Sequence, residues 1–241
     1  MPSRVRQVAQ LPRLASLSLD GCGYSAANLN VLSRLSGSLT HLDIKSGWIP
    51  GSLSALTQLR DLRLWDSDTH EDDAVLSSVL PGFSQLTCLV VMTDDVEVPA
   101  ALAGLSQLQL CYLYLYVEID AAAPPLPAGP WLASLRWLRC NVDGLMSSTG
   151  ALGAAAGLQF LQAAHSSLSV DWASPAAAAF FDWVEQHPPL CRMQFEATSG
   201  QTFNSGHFAA RVMRLGRRRP ALVLEGGYSS DSGMYELIVE E

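Results

Sequence analysis

The segment WIPGSLSALTQLRDLRL (residues 48–64) carries the pattern from which the fold can be predicted. Leucines stand at every third position from Leu53 to Leu62, and the spacing then shortens to two at Leu64. A period of three suits a 3₁₀-like or short helical turn, whereas a period of two is typical of a strand. The segment therefore predicts a short back-wall helix that leads directly into a strand, with Pro50 stiffening the entry.

The strand part of this pattern recurs along most of the chain. Its anchor residues are Leu17, Leu42, Leu62, Leu89, Leu113, Leu138, Leu161 and Met193, with gaps of 25, 20, 27, 24, 25, 23 and 32 residues. A repeat of this length cannot bury its apolar face alone, so successive repeats must stack. The spacing therefore predicts a solenoid with one strand per repeat, and a last short strand, ALVLE (221–225), closes the series.

The LxxLxL pattern and this period resemble the leucine-rich-repeat family. The elements that precede the leucine runs, Ile49-Pro50, Leu80-Pro81, Val98-Pro99 and Leu126-Pro127, are similar to those of its plant-type repeats. The resemblance implies an α/β fold, a right-handed horseshoe-shaped solenoid. Its parallel strands would line the concave face, and short helices or 3₁₀ turns the convex face. We expect about eight repeats over residues 1–198 and a C-terminal capping segment over 199–241.

Three longer segments predict true helices. SPAAAAFFDWVEQHPP (174–189) offers Ser174 as the N-cap and Pro175 at the first helical position. HEDDAVLSSVL (70–80) is acidic at its start and apolar afterwards, and SGHFAARVMRLGRRRP (205–220) is amphipathic. At the other end the leucine pattern is already in phase from Val5. This start predicts that further repeats or another chain cover that end of the solenoid.

Residues between the buried leucines point away from the core, and the middle of this surface is aromatic. Exposed aromatics beside arginines match the composition of interface hot spots. The residues predicted to bind a partner are Arg63, Trp65, Tyr112, Tyr114, Tyr116, Trp137, Arg139 and Phe160. The alternative is that these rings stack on each other only to stabilise the sheet.

The register of the tyrosine-rich strand CYLYLYVE (111–118) is open at this point. The spacing of the repeats predicts Leu113 as its anchor, whereas the leucine run that precedes it predicts Cys111. A shift of two residues leaves the parity of the side chains unchanged. It would move Tyr116 to the end of the strand.

Charge and composition narrow the partner. With a net charge of −8, the chain lacks the clustered cations of a nucleic-acid-binding protein, and no apolar run is long enough to span a membrane. Eleven of its 23 acids follow predicted strands three to six: Asp66, Asp68, Glu71, Asp72, Asp73, Asp94, Asp95, Glu97, Glu118, Asp120 and Asp143. Such a rim would attract a basic protein or peptide. The alternative is an ordinary solvated edge.

No motif for catalysis, metal binding or cofactor binding stands out in the sequence. The five cysteines are widely spaced without a CxxC pair, which favours reduced thiols. We therefore expect a non-enzymatic, cytoplasmic module that binds a protein or peptide on its concave face and holds no cofactor or metal. By resemblance, the alternatives are the recognition tail of a signalling or ubiquitin-ligase assembly and a structural, for example ciliary, subunit. The axoneme and the nucleus are then the alternative locations.

Overall fold

The computed structural model of the chain describes most of the repeat units but not several of the segments that connect them. The described residues are 7, 10–20, 29–45, 51–67, 78–93, 101–104, 110–117, 124–164, 170–197, 206–228 and 234–236. The predicted helix at 70–80 and the chain start therefore lie largely outside them.

One sheet runs through the whole described part of the chain, and its strands follow one another in chain order. The strands are β1 (Ser16–Asp20), β2 (His41–Lys45), β3 (Asp61–Ser67), β4 (Cys88–Thr93), β5 (Tyr112–Val117), β6 (Trp137–Asn141), β7 (Phe160–Ala164), β8 (Arg192–Ala197), β9 (Val223–Tyr228) and β10 (Met234–Glu236). Strands β1 to β9 pair in parallel, and β10 pairs antiparallel with β9. This is the predicted α/β leucine-rich-repeat solenoid.

Short helical elements form the back wall, as the three-residue leucine spacing predicts. The 3₁₀ helices span Asn30–Leu35, Gly51–Ala55, Leu80–Gly82, Leu102–Gly104 and Pro130–Ser134. The α-helices are α1 (Val142–Ser147), α2 (Thr149–Leu152), α3 (Pro175–Gln186) and α4 (Gly206–Arg218). Helices α3 and α4 confirm two of the sequence predictions, and Ser174 caps α3 by accepting a 3.1 Å hydrogen bond from the Ala177 N–H. Helices α1 and α2 were not predicted.

The register of the sheet aligns all eight predicted anchors. Leu17 pairs with Leu42 at one end, and Leu161 pairs with Met193 at the other. Leu89 pairs with Leu113, so Leu113 and not Cys111 is the anchor of β5. Tyr116 pairs with Met92 inside the strand rather than beyond it. The ninth parallel strand lies in the segment assigned to the cap, and the boundary at 198/199 stays a prediction.

A recurring backbone contact links each repeat to the next. The carbonyl just before a strand accepts two N–H groups from the start of the following strand. For example, Thr40 O accepts from Arg60 N at 2.9 Å and from Asp61 N at 3.1 Å. The same pattern holds at Ala15, Cys111 and Gln159. Each such pair of hydrogen bonds joins the start of one strand to the start of the next. The repeated contact therefore holds neighbouring strands in register.

His187 is the most buried histidine of the described residues, 7% exposed, at the end of α3. Its ring lies 4.9 Å from that of Trp183. Burial lowers the pKa of His187 because the charged imidazolium loses its hydration. A hydrogen bond with the Leu158 backbone opposes this shift, and the Arg219 charge adds to it. The fold therefore favours the neutral ring.

Acidification is expected to destabilise the protein through this residue. The unfolded chain takes up the proton near pH 6.5, whereas the folded chain takes it up only at lower pH. The stabilisation is therefore complete above about pH 6.5 and is lost as the pH falls through the lower pKa of the folded state. Urea unfolding between about pH 7.5 and 5.5 should show this loss in the wild type.

The matched variants are His187→Gln, which cannot titrate, and His41→Gln, which removes an exposed imidazole from β2. The first should flatten the pH dependence, and the second should leave it unchanged. A wild-type slope in His187→Gln would contradict the assignment.

Candidate functional site

The predicted partner-binding residues lie on strands β3 to β7, on the side of the sheet away from the leucine core. We call this side the open face. Its first row begins each strand and includes Tyr112, Trp137 and Phe160, and its second row lies two residues further along. Six described side chains of the predicted site fall into two groups. The ring column consists of Tyr112, Trp137 and Phe160, and the Tyr114 cluster consists of Trp65, Tyr114 and Arg139.

The ring column is a continuous stack of three parallel rings. The centroids of Tyr112 and Trp137 are 3.9 Å apart with planes inclined by 7°, and those of Trp137 and Phe160 are 5.3 Å apart at 2°. All three side chains are half-buried. Both faces of the Trp137 indole are therefore covered by neighbours, and the solvent meets ring edges.

The sheet itself imposes this stacking. Tyr112, Trp137 and Phe160 are direct partners across three neighbouring strands. Neighbouring strands lie about 4.8 Å apart, which is close to the separation at which aromatic rings stack. Aromatic residues at the same position of successive repeats therefore stack face to face. The sequence predicted that these residues were neighbours but not how their rings were oriented.

An ion pair closes the ring column at its C-terminal end. The Arg192 guanidinium lies 5.5 Å from the centroid of the Phe160 ring. Arg192 also donates three hydrogen bonds to the Glu225 carboxylate, at 2.7, 2.8 and 3.0 Å. This pair holds the guanidinium over the ring. Phe160, the last ring of the column, therefore has one face covered by Arg192.

The Tyr114 cluster contradicts the expectation that every residue between the leucines is exposed. Tyr114 is only 3% exposed, and Val90 beside it on β4 is only 2% exposed. Arg139 lies over the Tyr114 ring at 4.1 Å, and the Trp65 ring meets its edge at 5.8 Å and 67°. Strands β3 and β5 are two spacings apart, about 10 Å. Trp65 and Tyr114 therefore lean towards each other across β4 and cover Val90.

Two polar contacts fix the side chains of β3. The Trp65 indole N–H donates a 2.9 Å hydrogen bond to Asp43, which holds the ring in its tilted position. Arg63 is turned the other way, because its Nε and Nη2 atoms each donate a 3.0 Å hydrogen bond to the Asp61 carboxylate. Asp61 thereby raises the pKa of Arg63 further above its ordinary value. Arg63 therefore contacts a carboxylate of its own strand and is not part of either aromatic group.

The thiol beside the ring column is held in its protonated form. Cys88 precedes Tyr112 in the first row. Burial, with the charge of Asp61 adding to it, raises the pKa of Cys88 to about 12. Burial likewise raises the pKa of Tyr112. Both groups are therefore neutral at physiological pH, and the column presents an uncharged surface.

Part of the predicted site lies outside the described residues. The backbone of Tyr116 is in β5, but its side chain is not described. Of the predicted acidic rim, only the side chain of Asp143 is described, half-buried in the first turn of α1. The rim and its preference for a basic partner stay predictions. Across the described ranges, no helix is long and apolar enough to span a bilayer.

Two residues at the site were not predicted from the sequence. Arg192 and Glu225 complete the ring column, but neither was among the predicted binding residues. The periodic pattern contained the necessary signal. With Leu224 taken as a ninth anchor, Glu225 falls in the second row beside Gln194, diagonally opposite Arg192.

Comparison with known proteins finds similarity among solved structures. No family profile and no curated protein matches the chain. Among solved structures, the chain is similar to a leucine-rich-repeat protein of Leptospira interrogans, with 14% sequence identity and a TM-score of 0.45. The likeness covers 91% of this chain and 62% of that protein, so the chain spans less than two thirds of its length. The leucine-rich-repeat architecture stated above follows from the chain's own strand register and back wall.

Proposed function

We propose that the chain is a non-enzymatic interaction module that binds a protein or peptide partner on its open face, with the ring column at the centre of the contact. The observation that carries the proposal is the half-exposed stack of Tyr112, Trp137 and Phe160. A stack of this kind is rigid, because each ring is held by its neighbours. A rigid aromatic surface loses little side-chain entropy when a partner binds.

The geometry of the stack favours one kind of contact. Ligands that stack on a free ring face, such as a nucleobase or a caged ammonium group, need a face that is open. The two faces of Trp137 are taken by Tyr112 and Phe160, and Arg192 lies over Phe160. At Trp137 and Phe160 the partner therefore meets ring edges, which suit aliphatic side chains, aromatic faces and carbonyl oxygens.

The internal role of the rings does not exclude binding. The alternative from the sequence was that the aromatics stack only to stabilise the sheet, and the Tyr114 cluster has that character because Tyr114 is 3% exposed. The ring column differs, since all three of its side chains keep exposed surface. We therefore narrow the proposed contact residues to Tyr112, Trp137 and Phe160 and take Trp65, Tyr114 and Arg139 as their support. A cytoplasmic location stays a prediction.

Replacing Trp137 by alanine is expected to weaken partner retention by roughly 30-fold, which corresponds to about 2 kcal/mol for a hot-spot aromatic. Trp137 is the middle ring, so its loss removes contact area and also frees its two neighbours. The measurement is quantitative capture of cell-lysate proteins on immobilised wild-type and variant protein. Thermal unfolding of both proteins would show that the variant is folded.

Two controls make the result specific. Val223→Ala removes an exposed apolar side chain, 50% exposed, from the first row of the same face beyond the ring column. It should leave capture unchanged. A photo-cross-linking phenylalanine analogue at Phe160 should label the captured partner, whereas the same analogue at Ala179, exposed on α3, should not. Equal capture by folded Trp137→Ala protein would refute the proposed site.

A further inference from the structure

A polar depression lies on the open face beside the aromatic residues, on strands β1 to β3. Its volume is about 230 Å³, and its polar lining consists of Ser16, Ser18, His41, Asp43, Asp61 and Arg63. Pockets for drug-sized ligands usually measure roughly 300–1,000 Å³. The polar depression is smaller and has the size for one amino-acid side chain.

The charges that line the polar depression do not balance. Arg63 and Asp61 neutralise each other through two 3.0 Å hydrogen bonds. Lys45, the other cation on these strands, pairs with Asp20 at 3.1 Å. Asp43 lies directly across from Arg63 in the sheet, and its charge also acts on that guanidinium. Two carboxylates therefore share one cation, and the aspartates and Arg63 together carry one net negative charge.

Asp43 is held in place by neutral donors only. Its Oδ1 atom accepts from the Trp65 indole at 2.9 Å, and its Oδ2 atom accepts from the Ser18 hydroxyl at 3.3 Å. Among the described residues, it forms no ion pair with a lysine or arginine. A carboxylate oxygen can accept a second hydrogen bond. Asp43 therefore has both charge and acceptor capacity to offer to a cation from outside.

We propose that the polar depression receives a basic side chain of the bound protein partner, with the Asp43 carboxylate as its acceptor. This inference rests on the proposed function, because it adds a charged contact to the same face. The Ser16 and Ser18 hydroxyls and the His41 ring supply further acceptors for the several N–H groups of a guanidinium or ammonium ion. Asp43 also holds Trp65 against the Tyr114 cluster, so the cation site and the aromatic residues share one side chain.

The test uses small probes in place of the unidentified partner. Nα-acetyl-arginine amide and Nα-acetyl-lysine amide are titrated into the whole ¹⁵N-labelled chain at about pH 8, where a histidine ring is uncharged. Nα-acetyl-citrulline amide is the matched control, because it has the shape of arginine without its charge. We expect saturable, millimolar binding of at least one basic probe, with amide shifts on β1 to β3 and none from citrulline.

Two carboxylate variants complete the test. Asp43→Asn keeps an oxygen to accept from Trp65, and it should weaken binding of the basic probe at least tenfold. Asp182→Asn removes an exposed carboxylate on α3, which pairs with Arg214, and it should have no effect. Absence of saturable binding by both basic probes, equal binding of citrulline, or unchanged affinity of folded Asp43→Asn would each overturn the proposal.

The two proposals can fail separately. If capture depends on Trp137 but no basic probe binds at Asp43, the polar depression is not a cation site and the proposed function stands. If the basic probe binds at Asp43 but Trp137→Ala captures the same proteins, the cation site stands and the ring column is not the contact. Trp137→Ala should not change the probe shifts on β1 to β3, because Trp137 does not line the polar depression.

Discussion

Replacing Leu113 by alanine should lower the free energy of unfolding by about 2–5 kcal/mol. Leu113 is fully buried in the middle of the leucine column, between Leu89 on β4 and Leu138 on β6. A solenoid repeat contacts only its neighbours, so a cavity there weakens two repeat interfaces at once. Urea unfolding followed by circular dichroism measures the change, with the slope of the transition checked for loss of cooperativity.

The control for Leu113 tests the register of the tyrosine-rich strand. Cys111 would have been the anchor in the other register, but its side chain is exposed in the structure. Cys111→Ser should therefore change the free energy of unfolding by less than about 0.5 kcal/mol. The opposite order, with Cys111→Ser costly and Leu113→Ala mild, would mean that the strand is shifted by two residues.

Replacing Arg219 by methionine should cost about 3 kcal/mol, the second largest effect that we expect. The Arg219 guanidinium lies just beyond α4 and donates hydrogen bonds to the carbonyls of Val184, His187, Pro188 and Leu190. These carbonyls end α3 and form the turn into β8, and those of Val184 and His187 also accept one backbone N–H each, from His187 and Leu190. Methionine keeps the apolar stem and removes every donor, so the loss reports on these hydrogen bonds.

Arg217→Met is the matched control for Arg219→Met. Arg217 is an exposed residue in the last turn of α4, two positions away in the same arginine run. Its replacement should change the free energy of unfolding by less than about 0.5 kcal/mol. Thermal unfolding of the two variants should separate them clearly, and equal stabilities would show that the carbonyls near Arg219 are satisfied in another way.

The periodic leucines made the fold predictable. Their spacing placed all eight anchors in the register that the structure shows, and the three-residue leucine runs predicted the 3₁₀ back wall. Ser174 and Pro175 likewise predicted the start of α3 correctly, because an N-cap and a first-turn proline act locally. Helices α1 and α2 were missed: Asn141 and Ser148 stand at their N-caps, but neither side chain makes a capping hydrogen bond and no proline follows at the first helical position.

The candidate site was only partly predictable. The parity of a strand decides which side chains leave the core, and so Tyr112, Trp137 and Phe160 could be placed side by side from the sequence. Parity does not say how much of a side chain stays exposed. Tyr114 has the same parity as Tyr112 but is covered, because Trp65 and Arg139 approach it from other strands.

The repeat, its register outside the tyrosine-rich strand and the membership of the open face could be predicted from sequence alone, because they depend on spacings within one chain segment and on the fixed geometry of strands. Which rings stack and which are covered depends instead on contacts between strands. Contacts between strands likewise set the hydrogen bonds of Arg63 to Asp61 and of Trp65 and Ser18 to Asp43. The reason is physical: burial and ion pairing depend on side chains from strands about 20 or more residues apart, whose rotamers are chosen by their neighbours and not by their own segment.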